Sequence, residues 1–219
     1  MGATTYTGSR VTAPQTRRLA QLDITKASVG PMDNNAYLLR CRRSNEALLI
    51  DAASEPATLL ELVAEVELTA IVTTHRHADH WQALAEVAKR TGATTVAHPL
   101  DSPAIGATIT QLCSDGDLLT FGEITLSVIH LQGHTPGSIA LRYDDPTGPP
   151  HLWTGDSLFP GGLGNTFGSA NDFASLLRDV TEKLFAPLPD DTWVYPGHGD
   201  DTALGAQRPS LPEWECRGW

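Results

Sequence analysis

Thr74-His75-Arg76-His77-Ala78-Asp79-His80 follows directly on the short apolar run Ala70-Ile71-Val72-Thr73. That run has the length and β-branched character of a buried strand, so an H-x-H-x-D-H string sits where the strand ends. Imidazoles two residues apart on extended backbone project to one side, and Asp79 continues that parity. His80 falls where a following helix should begin, and the positive N-terminus of that helix would favour the Asp79 carboxylate. Neutral imidazole nitrogen and carboxylate oxygen are the donors that zinc and its neighbours take at catalytic sites. Three histidines and an aspartate packed this closely read as a metal-binding loop.

Three further strand ends carry the same residue types. Gly133-His134-Thr135 follows the alternating stretch Ile124–Leu131, Gly155-Asp156-Ser157 follows His151–Thr154, and Pro196-Gly197-His198-Gly199 follows Trp193–Tyr195. Together the clusters offer His75, His77, Asp79, His80, His134, Asp156 and His198, enough donors for two metal ions. A glycine beside each of the last three permits the tight backbone of a crowded site. His98, His130 and His151 read as ordinary histidines, with His130 the one candidate for a hydrogen bond that orients His134. Trp81, Phe159, Phe167 and Tyr195 are candidates for pocket walls, although Trp81, in the first turn of a helix, reads first as packing.

Around these clusters the chain alternates strand and helix patterns. Strands are expected at Leu22–Val29, Asn35–Cys41, Ala47–Asp51, Ala70–Thr73, Thr94–Ala97, Ile124–Leu131, Ser138–Tyr143, His151–Thr154 and Trp193–Tyr195. Helices are expected at Glu55–Val66 with Ser54 as N-cap, at His80–Arg90 stopped by Gly92, and at Asp172–Phe185, each with apolar residues at helical spacing. The stretch from Pro99 to Ala107 reads as irregular and Ala203 onward as a short tail. The order strands–helix–strand–helix, then strands–helix–strand, describes two sheets with helices outside, an α+β fold. Residues 1–21 read as a loose N-terminal arm and 22–219 as a single domain.

Composition narrows the function. With 15 basic and 26 acidic residues the formal charge is −11, and no Lys/Arg cluster stands out, which disfavours a nucleic-acid partner. No apolar stretch approaches the roughly 20 residues of a membrane span, and Met1–Ile24 lacks a signal-peptide core, so a cytoplasmic protein is expected. Met1-Gly2 does not begin a myristoylation signal, because Tyr6 stands where Ser or Thr is wanted. Cys41, Cys113 and Cys216 are odd in number and contain no C-x-x-C, which supports neither a disulfide framework nor a zinc knuckle.

The set T-H-R-H-A-D-H, G-H-T-P-G-S, G-D-S-L-F and P-G-H-G resembles the metallo-β-lactamase superfamily and, within it, the glyoxalase II (hydroxyacylglutathione hydrolase) branch. The resemblance covers about Leu22 to Gly199 and implies a four-layer αββα sandwich with the metal site at one edge between the sheets. It implies that His75, His77 and His134 hold one metal, that Asp79, His80 and His198 hold a second, and that Asp156 bridges them. Two divalent ions are implied, zinc first, with iron or manganese as alternatives. Asp79 and Asp156 then act in catalysis beside a metal-bound hydroxide that attacks a thioester of a small thiol.

Two departures bear on the substrate. Only 21 residues follow His198, so the helical glutathione-holding domain of the larger glyoxalase II enzymes is not expected here. An Arg-Asp pair common after G-D-S/T-L-F is replaced by the glycine-rich stretch Gly161–Gly168. The thiol carrier is therefore open, as is the oligomeric state. Competing readings are a mononuclear-iron persulfide dioxygenase using His75, His134 and Asp156, a lactonase or other ester hydrolase, and a metal-binding module without turnover.

Overall fold

Nearly unbroken apolar runs such as Ala47-Leu48-Leu49-Ile50 require burial on both strand faces, which a sheet covered on each side provides. A computed structural model describes residues 6–218 and shows how the chain meets this requirement. The first sheet contains β1 (Gln15–Arg18), β2 (Leu22–Val29), β3 (Asn34–Cys41), β4 (Glu46–Ile50), β5 (Glu67–Val72), β6 (Thr94–Ala97) and β7 (Gln111–Leu112), in that spatial order. The second contains β8 (Leu118–Phe121), β9 (Ile124–His130), β10 (Ile139–Tyr143) and β11 (His151–Gly155). A small ribbon of β12 (Leu158–Phe159) and β13 (Gly162–Leu163) follows, after which β14 (Trp193–Pro196) and β15 (Thr202–Ala203) complete the second sheet beyond β11.

Side-chain alternation sorts the core into layers. Leu48, Ile50 and Val72 of one sheet meet Leu126, Val128, Leu141 and Trp153 of the other. On the outer face of the first sheet, Leu49 and Ile71 pack on Leu59 of α1 (Pro56–Leu62) and on Leu84 and Val87 of α2 (Leu84–Thr91). On the outer face of the second, Ala140, Leu152 and Val194 pack on Leu176 and Val180 of α3 (Ala170–Val180). The result is the αββα sandwich. The directions of the strands then place the site. β4, β5, β9, β11 and β14 all run toward one edge, and antiparallel β3 starts there. Their following loops converge on that edge.

Several expectations need correction. The arm is not loose throughout: Gln15–Arg18 pairs with β2, and the Tyr6 hydroxyl donates to Asp201 at 2.6 Å; Met1 to Thr5, including the Met1-Gly2 start, lie outside the described residues. Ser54 does not cap α1. Glu55 occupies the cap at φ 52°, and its carboxylate accepts from the Gly30 amide at 2.8 Å. No α-helix begins at His80, because the Gln82 and Ala83 amides donate to Ala53 and Ala52 carbonyls, leaving a 3-10 turn at Ala78–His80 and delaying α2 to Leu84. Asp79 is thus not at an α-helix N-terminus. α3 continues through a π-turn to Phe185. The edge strands β7 and β8 are not among the expected ones. The tail is structured, with α4 (Leu204–Gln207) and α5 (Leu211–Arg217) held by Trp214, which is buried near Phe185.

Candidate metal centre

All seven candidate residues meet at the loop edge. His75, His77 and His134 form one group, His75, His80 and Asp156 a second, and Asp79, His80 and His198 a third, each with donor atoms within 4.8 Å of one another. His75 and His80 are buried, His134 nearly so, while Asp79, Asp156 and His198 remain partly open to solvent. Two glycines are dictated by this crowding. Gly155 turns at φ +48°, where a Cβ would stand 2.7 Å from Thr74 Oγ1. At Gly197 a Cβ would overlap Asp156 Oδ1 and lie 2.8 Å from His80 Cε1.

The far side of four of the five imidazoles is committed. His198 Nδ1 lies 2.9 Å from the Met32 carbonyl and His134 Nδ1 2.8 Å from the Asn165 carbonyl, so both must be protonated at Nδ1. His80 Nδ1 faces Asp51 Oδ2 at 2.8 Å. Thr74 Oγ1 donates to that same oxygen at 2.8 Å and so accepts from His75 Nδ1 at 3.1 Å. These four rings are therefore fixed with Nδ1–H outward and Nε2 inward. In the neutral form that ligates metal, lone pair faces lone pair, at 3.1 Å between His80 and His198 and 3.3 Å between His75 and His134. The Asp156 carboxylate lies among them, Oδ1 buried 3.4 Å from His80 Nε2 and Oδ2 3.4 Å from His198 Nε2 and 3.7 Å from His134 Nε2. Neutral groups would repel in this arrangement; a cation between them relieves it, so the donor set fits bound metal.

Electrostatics divides the centre. Burial pushes His75, His77 and His134 toward the neutral form, in which imidazole is a metal donor. Burial also opposes charge on His80, but Asp156 and Asp51 outweigh it and push that ring up to about 10. His198 likewise rises to about 10 against burial, through Asp156 and Asp79. Asp79 and Asp156 are held below the usual carboxylate range despite burial, Asp79 by hydrogen bonds to His198 and Asn34 and Asp156 first by the His80 charge. The half formed by Asp79, His80, His198 and Asp156 is thus an anionic pocket that stabilises positive charge, whether carried by protons or by metal.

Residues outside the predicted set hold this geometry. Asp51 directly follows β4 and also accepts from the Thr74 amide at 2.7 Å. Asn34 Nδ2 donates to Asp79 Oδ2 at 2.9 Å. Asp101 ties two ligand loops together, accepting from the amides of Arg76 at 2.9 Å and Gly137 at 2.8 Å and from the Thr135 hydroxyl. Lys26, fully buried and paired with Asp201 at 2.8 Å, donates to the Gly199 carbonyl at 2.7 Å and so braces the His198 loop. Asp51 did carry a signal, since it closes the apolar run Ala47–Ile50 just as the other site residues close theirs.

The remaining candidates divide. His130 does not touch the His134 ring; it stacks on His98 at 4.2 Å and bonds the Pro136 carbonyl at 2.8 Å. Trp81 is a support, its Nε1 donating to the Arg76 carbonyl at 2.9 Å. Tyr195 is buried in the core between the sheets and walls no pocket. Phe159 and Phe167 do approach the centre, with ring centroids 6.4 Å from His198 and 5.6 Å from His77 respectively.

The sequence profile of the Metallo-beta-lactamase superfamily matches residues 29–198, the span that carries all seven residues. The chain belongs to the metallo-β-lactamase superfamily. Among superfamily relatives, an uncharacterized protein of Mycobacterium tuberculosis is 32% identical over 212 residues, covering 84% of this chain and 94% of its own length. A hydroxyacylglutathione hydrolase of Polaromonas is 37% identical over 167 residues, covering 75% of this chain and 62% of the relative. Among solved structures, the B3 metallo-β-lactamase BLEG-1 superposes with a TM-score of 0.77 at 28% identity, covering 87% of this chain and 99% of that one. ETHE1 from Myxococcus xanthus gives 0.74 at 28% identity, covering 86% and 83%. The protein TTHA1623, in a di-iron-bound form, gives 0.68 at 31% identity, covering 86% and 98%. Superfamily membership and the donor cluster together describe a metal-dependent enzyme of hydrolase type. No helix among the described residues is long and apolar enough to cross a membrane.

Proposed function

We propose that this protein is a binuclear metallohydrolase that cleaves a thioester of a low-molecular-weight thiol. The observation that carries the reading is the pair of inward Nε2–Nε2 approaches with the Asp156 carboxylate set among them. His75, His77 and His134 would hold one ion, Asp79, His80 and His198 the other, with Asp156 shared. Divalent ions bound there supply Lewis acidity toward the substrate carbonyl and lower the pKa of water from 15.7 to about 7. The chain's own residues do the rest. Asp51 and Thr74 fix the imidazole tautomers, Asn34 orients Asp79, and Asp79 and Asp156 are held ionised as acceptors for a proton of the attacking water. A thiolate leaves without strong protonation. Zinc is the first expectation for the metals, and the di-iron neighbour supports iron as the alternative.

A mononuclear-iron persulfide dioxygenase is the second reading, supported by the proximity of His75, His134 and Asp156 as a two-histidine, one-carboxylate set. Elemental analysis of protein purified without chelators decides between them, followed by assay on S-acyl thiols. Roughly two metals per chain with thioester turnover is the expected result. About one iron per chain, with oxygen uptake on a persulfide and no thioester turnover, would overturn it.

A further inference from the structure

Beside the metal centre lies a cavity of about 290 Å³ lined by Arg76, His77, Gln132, His134, Phe167 and Asp172, among others. Arg76 is the only Lys or Arg in that lining, and it sits between two of the candidate ligands in sequence. Its backbone is pinned at both ends, the amide by Asp101 Oδ2 at 2.9 Å and the carbonyl by Trp81 Nε1 at 2.9 Å. Its guanidinium is exposed and has no carboxylate within 4 Å among the described residues, Asp172 of the same cavity included. In a chain of net charge −11, Arg10, Arg40, Arg43, Arg178 and Arg208 each take an acidic partner.

We infer that Arg76 is a specificity-determining residue that binds a carboxylate of the substrate, so the preferred thioesters are singly anionic at the cavity. The inference rests on the thioester reading and names the substrate class for it. A guanidinium presents parallel N–H donors that match a carboxylate in bidentate geometry. Arg76 offers one positive charge, which suits one carboxylate; a polyphosphate would bring excess charge against Asp172 of the same lining. Because the pinned backbone fixes where the side chain starts, the contact forms equally in ground and transition states and acts on KM more than on kcat.

The test uses metal-loaded wild type, R76A and R76K, with metal content measured for each so that damage to the ligand loop is visible. Substrates are S-acetyl-3-mercaptopropionate and its methyl ester, and a succinyl thioester of a neutral thiol and its methyl ester, which place the carboxylate on either side of the reacting carbonyl. Wild type should prefer one acid over its ester by about tenfold in kcat/KM, R76A should lose that preference through KM, and R76K should restore part of it. Equal preference in wild type and R76A for both pairs would overturn the inference. Calorimetry with the thioether ketone 3-(2-oxopropylthio)propionate and its methyl ester, or with the succinyl counterparts, reads the same preference without turnover. If no thioester is cleaved but the Arg76-dependent binding preference remains, the hydrolase reading fails and the carboxylate site stands; if binding shows no such preference, the carboxylate site fails regardless.

Discussion

Replacing Asp51 by Asn tests whether the far-side hydrogen bonds make the metal centre. Asp51 is buried, with Oδ1 taking the Thr74 amide at 2.7 Å and Oδ2 taking both Thr74 Oγ1 and His80 Nδ1 at 2.8 Å. An Asn that keeps its oxygen on the Thr74 amide must turn its NH2 toward His80 Nδ1. Donor then meets donor, and His80 escapes only by moving its proton to Nε2, which removes the inward lone pair. The flipped amide does not help, because NH2 then faces the Thr74 N–H, an unmade buried bond worth about 1–3 kcal/mol. Loss of such an outer partner lowers metal affinity by about 10–100-fold, or roughly 1.4–2.7 kcal/mol. The group of Asp79, His80 and His198 should show this loss, whereas the group of His75, His77 and His134 should keep its metal, since Thr74 Oγ1 can still accept from His75. Competition against a chromophoric chelator gives both constants, and ring nitrogen chemical shifts report the His80 tautomer. D51N protein that binds two equivalents with wild-type constants would show that the Asp51 hydrogen bonds do not make the centre.

Two further outcomes follow from the geometry. Gly197→Ala should leave secondary structure intact by circular dichroism while abolishing binding of at least one metal equivalent, because the new Cβ overlaps Asp156 Oδ1 and crowds His80 Cε1 at 2.8 Å; retention of both metals would show that the loop yields. His151, far from the donor set, is lowered to about 4, first by burial and then by Arg17. Its folded pKa lies below the unfolded value of about 6.5, so the unfolded state takes the proton first, and stability present above about pH 6.5 falls as pH drops toward 4. The loss approaches about 3 kcal/mol and should be missing from H151N when metal-free protein is denatured with urea across that range. Parallel pH profiles for the two proteins would contradict the burial argument.

Much of the architecture was legible from local pattern. Leu22–Val29 and Thr94–Ala97 are strands with the expected bounds, because a run of buried apolar residues between turn signals admits few other structures. Where neighbours competed for backbone hydrogen bonds, the local reading failed. Gln82 and Ala83 carry good helical pattern, yet Ala53 and Ala52 take their amides and push the start of α2 to Leu84. The tail after Ala203 looked short because Trp214 has no partner until Phe185 is folded beside it.

For the site, the order of residues fixes which donors exist and that each stands at a strand end, since residue type and apolar periodicity are properties of neighbours along the chain. What those donors can do depends on contacts made only in the folded protein. The partners that fix the tautomers lie 29 residues from His80, 31 from His134 and 166 from His198, so no spacing in the sequence encodes them. Strand direction brings Asp51, Asn165 and Met32 to the same edge, and their hydrogen bonds turn scattered histidines into a set of inward lone pairs around a shared carboxylate.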